Sequence, residues 1–199
     1  MTAIDPAFDA ASYLSAEFAE HAAVQQATPD AVRAGLLRLI ELCAASVASG
    51  GKILFFGNGG SAGDAQHLAT ELAVRYQRDR APIAAMALTT DSSALTAIGN
   101  DMGFDQLFAR QVRAIGRPGD VAIGITTSGR SANVANGLAA AREGGLHAAA
   151  FSGGTGGVLP GLADPLILVP STTTARIQEM HITIGQILCG ALERRLGLV

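Results

Sequence analysis

The stretch "KILFFGNGGSAGDAQHLATEL", residues 52–72, changes its periodicity halfway through. Residues 52–57 are apolar, β-prone and closed by glycine, which reads as a short strand buried on both faces. The glycines that follow permit a tight turn, and from Ser61 onward apolar residues fall at helical spacing. Strand, turn and helix in that order are half of a βαβ unit. Comparable apolar runs recur at "IAAMAL" (83–88), "VAIGIT" (121–126), "HAAAFSG" (147–153) and "PLILVP" (165–170). Helical patterns lie at 61–77, 91–115 and 131–143. Such alternation predicts an α/β fold, a three-layer doubly wound five-stranded parallel sheet covered on each face. Outside it the spacing predicts two N-terminal helices, over 7–27 and 29–49, and a long C-terminal helix over 176–196. "TPD" (28–30) reads as the start of the second helix, with Thr28 as cap and Pro29 at the first helical position. Residues 153–164, rich in glycine, read as one loop or as a loop with a short helix. With no repeat or low-complexity linker, residues 1–199 form one domain, and 1–50 pack on the sheet or on a neighbouring subunit.

Composition narrows the function. The chain has 199 residues, 49% hydrophobic and 16% charged, which is a compact globular profile. A net charge of −3 without a basic run argues against nucleic acid as a partner. Cys43 and Cys189 lie in apolar helical patterns without a CxxC, so buried thiols in a reduced, cytoplasmic compartment are expected. The acidic N-terminus does not read as a signal peptide, and no apolar run approaches the ~20 residues that span a bilayer.

In a doubly wound sheet, ligands bind beyond the carboxyl ends of the strands. After the first strand, "GNGGSAGDAQH" (57–67) joins glycines to a helix N-terminus, whose free N–H groups attract an anion. Its spacing is neither the dinucleotide fingerprint nor a Walker loop. A tight turn explains the glycines but not Asn58 together with Ser61. After the third strand, "TTSGRS" (126–131) sets Thr126, Thr127, Ser128 and Ser131 at another helix start. One hydroxyl would suffice as a cap; four make a phosphate cradle. Two such loops suggest one phosphorylated ligand lying across both. His67 and Glu71, at i and i+4, share a helix face and suit a metal, or a ligand beside a base. An exposed ion pair is the competing reading. Arg75, one turn further, is placed to meet a substrate oxygen, or else stands free in solvent. Asn100 and Asp101 in "AIGND" end a helix, and of the two only the Asp invites a role.

These stretches, "GNGGSAGDAQHLATEL", "TAIGND", "ITTSGRSANV" and "ARIQEMHI", in this order and spacing, resemble the sedoheptulose 7-phosphate (phosphoheptose) isomerases of the SIS, or sugar isomerase, group. The resemblance covers about residues 30–195. It implies a homotetramer with sites between subunits, and conversion of the ketose phosphate to D-glycero-D-manno-heptose 7-phosphate, the first step toward nucleotide-activated heptose for surface glycans. Carried over by position, Thr126, Thr127, Ser128 and Ser131 hold the phosphate. Asn58, Gly59, Gly60 and Ser61 line the sugar, with Asn100 and Asp101 beside it. His67, Glu71 and Gln178 match metal or substrate ligands, the metal being zinc. Glu71 is then the base for an enediol mechanism.

One position departs from the pattern. In "RIQEMHITIGQIL" (176–188) the eighth residue after Gln178 is Gln186, where the family carries a His read as metal ligand and second acid/base. An amide exchanges no proton near neutral pH. His181 stands about 140° round the helix from Gln186 at ~3.6 residues per turn, so it faces elsewhere, as a buried or interface hydrogen-bonding residue. Gln178 and Gln186 lie ~12 Å apart along the helix, too far to share one metal with ease, so one of them is expected to serve a neighbouring subunit's site, which favours an oligomer. Gln186 therefore has three readings: an amide metal ligand in an active isomerase, a substitution that traps substrate, or a non-catalytic relative. In the last case "TTDSSALTAIGND" and "ARIQEMH" resemble the SIS proteins that associate with the bacterial replication initiator. A sugar-phosphate-sensing module would bind ligand without turnover.

Overall fold

The computed structural model describes residue 2 and residues 4–199. Five strands form one parallel sheet: β1 (Ile53–Gly57), β2 (Ala85–Ala87), β3 (Val121–Ile125), β4 (His147–Gly153) and β5 (Leu166–Val169), in the order β2-β1-β3-β4-β5. Alternate residues of each strand enter opposite cores, because successive side chains on a strand point to opposite faces. On one face Ile53, Phe55, Val121, Ile123 and Phe151 meet α1 (Ala10–Ala48), α2 (Gly60–Ala73) and α6 (Thr174–Arg195). On the other, Leu54, Phe56, Ala122 and Ala150 meet α3 (Ser92–Asp101), α4 (Leu107–Ile115) and α5 (Ala132–Glu143). The expected three layers are present.

Three local expectations need correction. The helices placed at 7–27 and 29–49 are one continuous helix with Pro29 inside it. Thr28 does not cap a new helix: its hydroxyl donates backward to the Val24 carbonyl at 2.7 Å and its side chain is buried. Beyond the proline, Val32, Leu36, Leu39 and Cys43 enter the core, and that burial holds the helix through the lost hydrogen bond. The helical pattern at 91–115 is interrupted where Gly103 takes φ 90°, so α3 and α4 are separate with one 3-10 turn between them. The second strand is a three-residue edge, with Met86 exposed rather than buried on both faces.

The sheet order reverses direction between β1 and β3, the topological switch point where a crevice opens. The two loops singled out by sequence leave these two strands.

Candidate active site

Backbone geometry explains the glycines after β1. Gly59 adopts φ 56°, a left-handed conformation that glycine takes freely. Gly60 opens α2, and a Cβ there would stand 2.5 Å from Gln178 Nε2, so the Gln178 amide from α6 lies directly against this loop. Ser61 is buried, its N–H bonded to the Asn58 carbonyl at 3.0 Å. Asn58 exchanges two hydrogen bonds with Asn133, at 2.8 and 2.9 Å, and Asn133 is itself buried. This amide pair ties the loop after β1 to the start of α5, so Asn58 here fastens one loop to the other. Asn133 carried no signal of its own in the sequence.

The loop after β3 is shaped as an anion cradle. Ser131 is the residue before α5, yet its side chain caps nothing; its hydroxyl lies 3.2 Å from that of Thr126. The first N–H groups of α5 are thus left to a ligand. Ser128 Oγ accepts from the Arg130 N–H at 3.2 Å. Gly129, at φ 64°, presses on the loop after β4, where an added Cβ would fall 2.1 Å from the Gly156 carbonyl oxygen. Thr127, Ser128 and Arg130 line a cavity of about 390 Å³ together with Thr155, Ser171 and Thr172 from the loops after β4 and β5. The last three hydroxyls and the Arg130 charge were not singled out by sequence, because only the sheet brings those loops together.

The third group stands where α2 and α6 run side by side. His67 Nε2 is 3.0 Å from Glu71 Oε1, and the Gln186 amide is 3.4 Å from the same nitrogen. Glu71 is largely buried, with 17% of its side chain exposed, against 49% for His67. Close helix contact makes this possible: a Cβ on Gly185 would lie 2.4 Å from Leu68 Cδ1. Asp64, one turn before His67 on α2, is half-buried, and its Oδ2 finds no partner among the described residues. Burial raises its carboxyl above the ordinary value, with the nearby His67 opposing. Within the chain both amides face α2: Gln178 lies against Gly60 at its start, and Gln186 against His67 further along.

The last turn of α2 is held by a pair that sequence reasoning missed. Arg80 and Glu193 form a salt bridge of 2.9 Å with side chains 0% and 1% exposed. Arg80 also donates to the carbonyls of Glu71 (2.8 Å) and Leu72 (2.7 Å), and Glu193 accepts from Tyr76 N–H at 3.0 Å. Distance in sequence hid it.

Other expected residues lie apart. Arg75 falls just past α2 and pairs with Asp79 in an exposed contact. Asn100 donates to Asp101 at 2.7 Å at the exposed end of α3. His181 is fully buried, bonded through Nε2 to the Ser152 carbonyl at 3.1 Å, and burial pushes its pKa down to about 4. It cannot stand in for an acid/base at position 186.

A metal is testable against these donors. Ligand atoms ~2.0–2.2 Å from a tetrahedral zinc are about 3.3–3.6 Å from each other. The 3.0 and 3.4 Å separations around His67 are close to that spacing. A half-turn of the Gln186 amide, a soft torsion, presents oxygen in place of nitrogen. Among the described residues no three His, Cys, Asp or Glu gather for a metal. His67 and Glu71, with the Gln186 amide beside them, are the side chains here that could hold a divalent ion.

The SIS-domain family model matches residues 18–153. The chain is 59% identical over 183 residues to a phosphoheptose isomerase of Paramagnetospirillum magneticum, covering 92% of this chain and 95% of that one. It is 49% identical over 176 residues to a phosphoheptose isomerase of Aquifex aeolicus, covering 88% and 92%. Among solved structures, a phosphoheptose isomerase from Francisella tularensis aligns with a TM-score of 0.90 at 32% identity, and one from Neisseria gonorrhoeae with 0.88 at 43%. In each case 94% of this chain and 100% of the other are covered.

Proposed function

Since the chain belongs to the SIS-domain family and, within it, to the phosphoheptose isomerases, we propose that it is the aldose–ketose isomerase that converts D-sedoheptulose 7-phosphate to D-glycero-D-manno-heptose 7-phosphate. The observation that carries the reading is the largely buried Glu71 carboxylate, set 3.0 Å from His67 on α2, the helix that the glycine loop after β1 opens.

The 7-phosphate docks on the loop of Thr126, Thr127, Ser128 and Ser131 at the N-terminus of α5, where Thr127, Ser128 and Arg130 line the cavity and Arg130 supplies counter-charge. The sugar chain then crosses the switch point toward Gly59, Gly60, Ser61 and Gln178. Glu71 takes a proton from C1 while O2 is protonated, giving a 1,2-enediol. Return of the proton to C2, with loss of the O1 proton, yields the aldehyde at C1. Gln186 hydrogen-bonds a substrate oxygen but exchanges no proton, so ring opening and the O1–O2 transfer fall to solvent or to Glu71. His67, Glu71 and the Gln186 amide would hold a divalent ion, zinc by family resemblance, which would supply charge to stabilise an enediolate oxygen.

A homotetramer in the cytoplasm completes the proposal. Its support is the apolar surface of the first turns of α1, where Phe18 is 67% exposed, with Phe8, Tyr13 and Leu14 nearby. An apolar groove of about 350 Å³ between α1 and α6, lined by Val32, Leu36, Met180 and Ile184, offers a second copy a seat. No helix among the described residues is long and apolar enough to cross a membrane.

The test is turnover of sedoheptulose 7-phosphate in ²H₂O by the native chain, Glu71→Gln and Gln186→His. Glu71→Gln should abolish solvent exchange at C1 and retain sugar-phosphate binding, and Gln186→His should raise the rate. Exchange retained by Glu71→Gln removes Glu71 from the mechanism, and no turnover by native or Gln186→His chains refutes the assignment.

A further inference from the structure

A second cavity lies at the opposite end of β4 and β5 from the hydroxyl cradle. It measures about 780 Å³, against about 390 Å³ for the cavity at the cradle, and lies between α1, the end of α5, the start of β4 and the segment that leads into β5. Arg38, Arg142 and His147 bring basic groups to it, and the acid in its lining, Asp164, is already met by Arg38 at 2.6 Å. Leu42, Leu146, Leu162 and Leu166 supply an apolar wall. Arg142 donates through one nitrogen to the Gly161 carbonyl, and Arg38 through one to Asp164. The remaining N–H groups of the two guanidiniums match the oxygens of a phosphate dianion, and the leucines suit an apolar organic part joined to it.

This cavity is tied to the cradle by one stretch of chain. Strand β4 runs from His147, in the second cavity, to Gly153, in the first, roughly 20 Å at ~3.3 Å per residue. The chain then returns. Thr155 lines the first cavity, Gly156 and Gly157 press on Gly129 of the cradle, and Val158 N–H donates to the Gly129 carbonyl at 3.0 Å. By Gly161 and Asp164 the same segment has reached the second cavity, where the two arginines hold it. Residues 154–164 therefore brace the cradle at one end and rest on Arg142 and Arg38 at the other. The Arg38–Asp164 pair is exposed, at 58% and 67%, and an ion pair of that kind yields readily to a bound dianion.

We propose that the second cavity is an effector site for an organic phosphate monoester. Its phosphate takes Arg38 and Arg142 away from Asp164 and the Gly161 carbonyl, residues 154–164 loosen, and the cradle binds its own ligand more weakly. The effector role rests on the cradle being the sugar-phosphate site.

The probe is phenyl phosphate, titrated by calorimetry into the purified full chain. Native, Arg38→Gln/Arg142→Gln, His147→Glu and Ser128→Ala/Ser131→Ala chains are compared, each checked by circular dichroism. His147→Glu adds negative charge to the cavity but leaves both arginine contacts in place, so it reports even where the double arginine variant unfolds. The native chain should bind two molecules of phenyl phosphate, and the cradle variant should keep one of them. His147→Glu and the arginine variant should bind that one about tenfold more weakly or not at all. With sedoheptulose 7-phosphate filling the cradle of the native chain, phenyl phosphate should bind the second cavity about fivefold more weakly than in the cradle variant, because coupling between two sites is reciprocal. A single binding event in the native chain, full native binding in His147→Glu, or equal affinity with the cradle filled and empty overturns the inference. Sugar phosphate bound by a native chain with no second phenyl phosphate site sinks the effector site and leaves the isomerase. A second phenyl phosphate site in a chain that binds no sugar phosphate refutes the isomerase reading, and the effector role with it.

Discussion

Glu193→Leu tests whether α2, the helix that carries Glu71, is held by the buried pair at its end. Both side chains are essentially inaccessible, at 0% and 1%. Removing one partner of such a pair leaves an uncompensated buried charge, which costs about 3–5 kcal/mol. Two local features modify that figure. Arg80 keeps the carbonyls of Glu71, Leu72 and Ala81, which softens the loss. Tyr76 N–H loses its acceptor, which adds about 1–3 kcal/mol if nothing replaces it. The two roughly offset, and Glu193→Leu should lower unfolding stability by about 4 kcal/mol. The assay is urea denaturation followed by circular dichroism at one fixed chain concentration, since subunit association shifts the midpoint by mass action. The double variant Arg80→Met/Glu193→Leu should recover part of the loss, with a coupling of about 2 kcal/mol or more, because neither charge is then stranded. A single-variant loss under about 1 kcal/mol, or strict additivity, would refute the reasoning. C1 exchange should also slow in Glu193→Leu, because Arg80 holds the carbonyl of Glu71 itself.

Two further outcomes are expected. Gly129→Ala places a Cβ 2.1 Å from a backbone oxygen at φ 64°, and should destabilise by about 2–4 kcal/mol while weakening sugar-phosphate binding. Thermal melts within error of the native chain would show that the loops separate freely. His181 has its pKa lowered from 6.5 to about 4 by burial. The unfolded chain therefore takes up a proton below pH 6.5 that the folded chain refuses until near 4. This contribution is complete above pH 6.5 and is lost progressively as pH falls toward 4, reaching about 2 kcal/mol at pH 5. Unfolding at pH 7.5 and 5.0 should show that slope in the native chain and a shallower one in His181→Gln, and equal slopes would dismiss His181 as the cause.

Much of this was legible without coordinates, because it depends on neighbours in the chain. Residues 52–72 announce a buried strand, a glycine turn and a helix through periodicity alone, and His67 and Glu71 share a face because helical spacing puts them there. The opposed directions of His181 and Gln186 follow from the same arithmetic, and both are found as expected. Local pattern failed at Thr28–Pro29, a helix start by every nearby cue, because distant core contacts outweigh one missing hydrogen bond. Tertiary structure alone decided what meets across the fold: Gln178 on Gly60, Gln186 on His67, Asn58 on Asn133 and Arg80 on Glu193. These partners stand 75 to 119 residues apart. No spacing rule spans such distances; the order in which the sheet pairs its strands brings them together.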